Sequence, residues 1–319
     1  MSHQADLPAL VLRRLAGALP LILGVTLISF LLTVHFGPDQ TYALIGKNPT
    51  AAEVEQLRSE LGYDQPFVVR YADYLKRLVT LDLGHAQATG ESVRAMLART
   101  IPISVLLVAP GFILGTLLAL GLAALAAWHQ GGALDRIISA VSVVGMSLSL
   151  VVILIGLQAV FGVWLGWFPV RGWAVSGPAD YLHHVAVPTM AFVIATLGYN
   201  VRFFRAVLAA EMTSEQVRTA RAFGVGPLRI MVVHVMGSSL LPIVTRILFS
   251  LPLLVISGSL LIESHFGIPG VGRITFAAIT SGDQPVLMAV VGLSALLFVL
   301  TVTVADLLCR LVDPRVGQR

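Results

Sequence analysis

Very little in this sequence could carry chemistry of its own. The chain has one cysteine, Cys309, in 319 residues, so no internal disulfide can form and no cysteine framework for a metal exists. There is no G-x-x-x-x-G-K-S/T run, which excludes ATP binding through a phosphate loop. Neither a nucleophile placed beside a base nor an H-E-x-x-H helix is present, so an intramembrane hydrolase has no candidate residues. Charge is also scarce. Only 12% of residues are charged and 56% are hydrophobic, and the mean hydropathy is +0.87. A soluble core cannot absorb that much apolar side chain, so the composition describes a membrane protein. The basic excess, 21 Lys and Arg against 17 Asp and Glu, reads in such a chain as loop charge on the cytoplasmic side rather than as a nucleic-acid patch. The 29 glycines, among them Gly111, Gly115 and Gly121 inside apolar runs, suit close helix packing.

What is present is a succession of apolar runs. The first, 15–36, follows Arg13 and Arg14 and ends in Val34-His35-Phe36-Gly37-Pro38, without the small-residue site of a cleaved leader. It is long enough to cross about 30 Å of hydrocarbon, and the two arginines place its start in the cytoplasm. Further runs cover Ile101 to Trp128, Ile137 to Phe168, Val185 to Leu208, Ile243 to Ile262 and Pro285 to Leu308. The expected fold is therefore an all-α polytopic membrane protein with six transmembrane helices and both termini cytoplasmic. Trp164, Trp167 and Trp173 gather at one end of the third run, as an outer interfacial belt would. Arg202, Arg205, Arg218, Arg221 and Arg229 mark the loop after the fourth run as cytoplasmic. The resulting division is a cytoplasmic N-terminus (1–14), the first span (15–36), an external loop region (37–99), a five-helix core (100–308) with a cytoplasmic loop at 211–236, and a cytoplasmic tail (309–319). The external loop holds two plausible short helices, Thr50 to Leu61 and about Pro66 to Val79.

The rest of the chain is organised around Glu211 to Pro242, a long charged segment between apolar runs. Thr213 and Gln216 stand in the relation of a capping box, which predicts a helix start. Val217, Ala220 and Gly224 share one face, while Gln216, Arg218 and Arg221 turn outward. Gly224-Val225-Gly226-Pro227 then ends this helix and begins another near Leu228. Local physics alone leaves two readings: an amphipathic connector between spans, or a knob that docks on another subunit.

Thr219-Ala220-Arg221-Ala222-Phe223-Gly224, with His234 and Leu241-Pro242 downstream, resembles the cytoplasmic coupling loop of membrane subunits of binding-protein-dependent ABC importers, in the dipeptide, oligopeptide and nickel class. The broad pattern, Glu-Ala-Ala, three residues, then Gly, is met here by Arg218-Thr219-Ala220 and Gly224, without the Glu. Phe223 stands where the peptide class commonly has Lys. Phe266-Gly267-Ile268-Pro269-Gly270-Val271-Gly272, Leu61 to Pro66, Leu81-Asp82-Leu83-Gly84 and the closing Asp313-Pro314-Arg315 resemble other landmarks of this class, so the likeness covers nearly the whole chain. It implies a coupling set of Glu211, Arg218, Thr219, Ala220, Arg221, Ala222, Phe223 and Gly224, and an external turn marked by Gly267, Pro269, Gly270 and Gly272. The implied partners are a second homologous permease, two ATP-binding subunits that hold the ATP and Mg, and a periplasmic or lipid-anchored substrate-binding protein. The solute would be a short peptide, with nickel or another small solute as the alternative, and the location the bacterial inner membrane. This chain itself would bind no cofactor or metal. The 37–99 region is then either a solvated cap or a surface that touches the loaded binding protein.

Arg246 and Glu263 are ionisable residues within or at the edge of the fifth run, which makes them candidates for a pathway or gating role. The plainer alternative is that Arg246 snorkels to headgroups and Glu263 sits in the interface. Asp306 and Arg310, four apart, suit a local pair. His183, His184 and His265 make only a weak metal candidate, with no carboxylate or cysteine at ligand spacing. A secondary transporter driven by an ion gradient would favour mid-span acids and an inverted repeat, and neither is evident. From the arginine distribution, a protease site inserted after Arg229 should be cut only from the cytoplasmic face. Cleavage by protease added outside intact cells would reverse this topology.

Overall fold

A computed structural model of the chain describes residues 7–36, 50–60, 64–253 and 259–312. Every element longer than a turn among these residues is helical, with one isolated antiparallel bridge between His85 and Ser92. Asp313-Pro314-Arg315, Leu61 to Tyr63 and the side chains of Arg13, Arg14 and Arg310 lie outside the described residues. The chain divides into two compact units, Met1–Pro102 with Gly270–Thr303, and Ile103–Pro269 with Val304–Arg319.

In the first unit α1 spans Leu7–Phe36, α2 Ala51–Glu60 and α3 Phe67–Thr80. The start of α2 is a capping box built from Thr50 and Glu53. The Glu53 carboxylate accepts from the Thr50 N–H at 2.9 Å and hydroxyl at 2.7 Å, and the Glu53 N–H returns to the hydroxyl at 3.4 Å. Those two donors, the backbone N–H first, hold Glu53 below the usual carboxylate range. The cap's contribution is therefore present above the ordinary glutamate value and is lost as pH falls. Phe67, Tyr71, Tyr74 and Leu78 recur at helical spacing on α3. Phe30 of α1 has the first three as ring neighbours, Tyr71 bonds Thr26 Oγ1 at 2.9 Å, and Leu78 is buried beside Gly292. The segment expected as an external loop thus contributes a helix that packs along α1. The helix α4, Val93–Trp128, also begins within that segment. After α11, Val271–Ser281, the last helix α12 runs Gln284–Val312. Asp283 caps it, accepting from the Val286 N–H at 3.4 Å, as its position ahead of Pro285 implies.

The second unit holds most of α4, then α5 (Ala133–Ser147), α6 (Leu150–Leu157) with a wider π-helical continuation Gln158–Trp164, α7 (Pro178–Met212), α8 (Glu215–Ala222), α9 (Met236–Leu253) and α10 (Ser259–Phe266). Four helices are long and apolar enough to cross a membrane, and α5 with α6 and its continuation forms a fifth candidate bent by 94°. The apolar run from Ile137 to Phe168 conceals that bend. Leu148 and Ser149 adopt extended backbone, which breaks the helical hydrogen bonding without any proline or glycine to announce it. A shorter apolar stretch, Leu19–His35, lies within α1.

The glycines are not equivalent. A methyl on Gly111 would lie 2.9 Å from the Phe192 ring, and one on Gly198 would run into the Ser142 carbonyl and lie 3.0 Å from Met146. Gly121 meets nothing within 4 Å, so the packing role expected for it is not what the structure has. Replacing Gly198 with Ala should cost about 1–3 kcal/mol through overpacking against rigid backbone. Gly121→Ala should leave stability equal or higher, because alanine is the better helix former. Thermal unfolding of the two variants in detergent checks this contrast.

Candidate functional site

The knob begins where α7 stops. The Thr213 hydroxyl donates to the Ala210 carbonyl at 2.8 Å, and its N–H closes the same turn. Ser214, in extended backbone, is the residue whose hydroxyl accepts from the Val217 N–H, at 3.4 Å. The cap therefore sits one residue later than the Thr213 and Gln216 spacing suggests. Thr213 is consumed in finishing α7, and Gln216 instead accepts from Ser238 Oγ on α9 at 3.4 Å. The far end of α8 closes as a Schellman turn. Val225 N–H reaches the Ala220 carbonyl and Gly224 N–H the Arg221 carbonyl, each at 3.0 Å, with Gly224 at φ +72°. Pro227 then opens the next turn, Pro227–Arg229, and a π-helical stretch Ile230–Val235 leads into α9.

The short helix is held by its apolar face. Val217, fully buried, and Ala220 pack into a cluster with Ile138, Phe204, Leu208, Ile230, Met231, Val235 and Ile243. Burying a valine in this way stabilises by about 1.5–3 kcal/mol. The opposite face carries Arg218, Thr219, Arg221, Ala222 and Gly224, all exposed, with Phe223 83% and Leu228 69% exposed. Arg218 bonds Glu215 at 2.6 Å, but both are solvated, so the pair contributes little. Of the coupling set, Ala220 faces inward and Glu211 belongs to the last turn of α7, half-buried. The presented surface is thus smaller than the set.

Beside the knob lies a feature that sequence reasoning missed. Asp135, nearly buried in the first turn of α5, takes the Arg205 guanidinium of α7 in a two-pronged pair at 2.5 and 2.7 Å, and also accepts from the Gly131 N–H at 2.9 Å. The signal was an acid three residues after a Gly-Gly turn, together with an arginine that had served only to mark topology.

The two charges of the fifth apolar run part company. Glu263, on α10, is completely buried and accepts from Ser104 Oγ at 2.6 Å, against a cluster that includes Leu107, Val108, Ile262, Phe266 and Ile268. It is a carboxylate buried within the protein. Arg246, on α9, is exposed, with its guanidinium carbon 5.4 Å from the centre of the Phe203 ring. The pair proposed for Asp306 involves the Arg310 side chain, outside the described residues; Asp306 does have a partner. Among the glycines of the external turn, Gly267 is left-handed at φ +72° and Gly270 is extended. Gly272 lies inside α11, because the Gly270 carbonyl already accepts from Ile274 at 3.2 Å and the helix starts at Val271. All three histidines touch the 165–177 segment: His183 Nε2 meets the Trp167 carbonyl, His184 Nε2 accepts from the Ala174 N–H at 3.5 Å, and the His265 carbonyl accepts from Arg171 Nε at 3.1 Å. The His265 ring meets the Gln158 side chain at 2.9 Å. His183 and His184 stand on α7 rather than in a loop.

Residues 111–318 match the family of binding-protein-dependent transport system inner membrane components, and residues 8–107 match the N-terminal region of such membrane components. The chain belongs to that family and is an inner-membrane protein. A protein of Brucella abortus (strain 2308) named for a peptide transport system permease is 30% identical over 312 residues, 97% of this chain and 98% of that one. A peptide permease protein of Brucella suis is 31% identical over 313 residues, 96% and 98% of the two chains. The oligopeptide transport system permease protein AppB of Bacillus subtilis is 28% identical over 313 residues, 97% and 99%.

The Asp135 and Arg205 pair predicts a specific energetic outcome. Asp135→Ala should destabilise by about 1–3 kcal/mol, below the range for a fully buried pair because Arg205 retains some exposure. A double-mutant cycle with Arg205→Ala should show coupling between the two sites. Additive losses in thermal melts would mean that the two side chains do not act as a pair.

Proposed function

We propose that this chain is one of two related permease subunits that together line the pathway of an ATP-driven importer. Six spans carry it, with both termini and the knob in the cytoplasm and the Trp164 to Trp173 end outside. The single observation that carries the reading is the knob itself. Its inner face, Val217 and Ala220, is committed to the body of the subunit, and its outer face offers Phe223 and Leu228 to something else. Two large apolar side chains exposed at the end of a capped helix and in the turn that follows it, with solvated arginines beside them, fit a groove on a separate ATPase subunit, which would hold the ATP and Mg. Closure of two such subunits would push the knob. The push would pass into α7 and α9, which meet the same buried cluster, and tilt the spans between outward-open and inward-open states. Solute would arrive on a soluble or lipid-anchored binding protein. The names of the relatives favour a short peptide over nickel as that solute.

Phe223→Asp tests the docking directly. The side chain is exposed, so the subunit should insert and melt as the parent does, while co-purification of ATP-binding subunits should fall at least tenfold and ATP-driven uptake with it. Normal recovery of the ATPase with normal uptake would sink the docking role.

A further inference from the structure

Among the described residues Arg246 is a cation without an anionic partner. Ser238, bonded to Gln216 on the knob, marks the cytoplasmic level on α9. Arg246 lies further along the same helix by about 12 Å at 1.5 Å per residue, which on the topology proposed above is inside the hydrocarbon layer. Asp135 is engaged by Arg205, Glu215 by Arg218, Asp180 by Ser176 and Glu263 by Ser104, while Glu211 stands in the last turn of α7, about 12 Å along that helix from Phe203. Among the described residues the contact of the Arg246 guanidinium is with the Phe203 ring alone. A cation–π contact recovers less than an ionised side chain loses on leaving water, and a charge at this depth facing lipid is strongly disfavoured. The side chain is nevertheless exposed. Among the described residues no anion balances it, and at an exposed site one reaches it through water or a partner surface rather than through lipid tails.

We infer that Arg246, set over Phe203, is a station on the pathway that takes the carboxylate of the solute in transit, the C-terminal carboxylate if that solute is a peptide. This rests on the importer reading above. The neighbourhood suits the role. Asn200 shares the Phe203 face of α7, spaced by three, is half-buried, and makes no side-chain hydrogen bond among the described residues. Its amide can both donate to and accept from a peptide backbone. The guanidinium can take a carboxylate through two parallel hydrogen bonds, while the ring beneath fixes its plane. Water at such a site keeps the attraction weak, as a conduit requires, since a solute must leave again. The same guanidinium could take a phosphate, so a lipid headgroup is the competing source of the anion.

The test uses the complete importer in vesicles, comparing uptake of a tripeptide with a free carboxylate and the same tripeptide amidated at its C-terminus. The binding protein is the same throughout, so its own preference cancels. Arg246→Gln should lower the acid-to-amide uptake ratio at least tenfold, and Arg246→Lys should retain it within about threefold. An unchanged ratio, or equal loss for both peptides, overturns the assignment. So does a defect that disappears in vesicles of phosphatidylcholine alone, because the anion would then be an anionic lipid. Independently of any peptide preference, Arg246→Cys in a Cys309→Ser background should react with a negatively charged, water-soluble thiosulfonate, and absence of reaction overturns the site. If the parent complex shows no ATP-driven uptake of either peptide, the importer reading itself fails, a result distinct from all of these.

Discussion

The second unit depends on a small apolar contact, the burial of Val217 and Ala220 against Phe204, Leu208, Ile230, Met231 and Val235. An eight-residue helix has no independent stability in water. Without that contact α8 would be a short charged connector carrying Arg218 and Arg221. With it, the knob is part of the same packed body as the ends of α7 and α9, and its outer residues can be displayed at no conformational cost to the inner ones.

Several polar devices keep that body in one arrangement. Ser214 and the Schellman turn satisfy the helix ends, Gln216 ties α8 to α9, and the Asp135 and Arg205 pair ties the start of α5 to α7. The wide turn Ile230–Val235 links the knob to α9 and buries Ile230, Met231 and Val235. Close-packed interiors transmit displacement better than they absorb it, so a push on the outer face has a direct route into two spanning helices. This is the physical content of coupling in the proposed importer.

Three of the charges in or beside apolar runs have three different fates. Arg205 is neutralised by Asp135, Glu263 is sealed in the interior on Ser104, and Arg246 stays open over Phe203. Spacing along the chain cannot separate these cases, because each partner comes from a different helix. Asp135 and Arg205 are seventy positions apart, and Ser104 and Glu263 more than twice that.

Composition and pattern determined the class of protein and the position of the knob. An apolar fraction of 56% demands a membrane, and a Gly-Val-Gly-Pro run can only end one helix and begin another. The Asp283 cap of α12 and the Thr50 start of α2 were equally legible, since both rest on local backbone chemistry. The choice between Thr213 and Ser214 as cap was decided by how far α7 extends, and that in turn depends on packing. The 94° bend in the third run was hidden because leucine and serine tolerate extended backbone without requiring it. The docking of α3 on α1 escaped notice because a polar average masks a one-sided aromatic stripe. Sequence by itself thus decided which segments are apolar enough for a membrane and where glycine and proline stop a helix. Tertiary structure alone decided which charges are paired, which face of α8 is inward, and that Arg246 is exposed over Phe203, because those outcomes are set by contacts between helices remote in the chain.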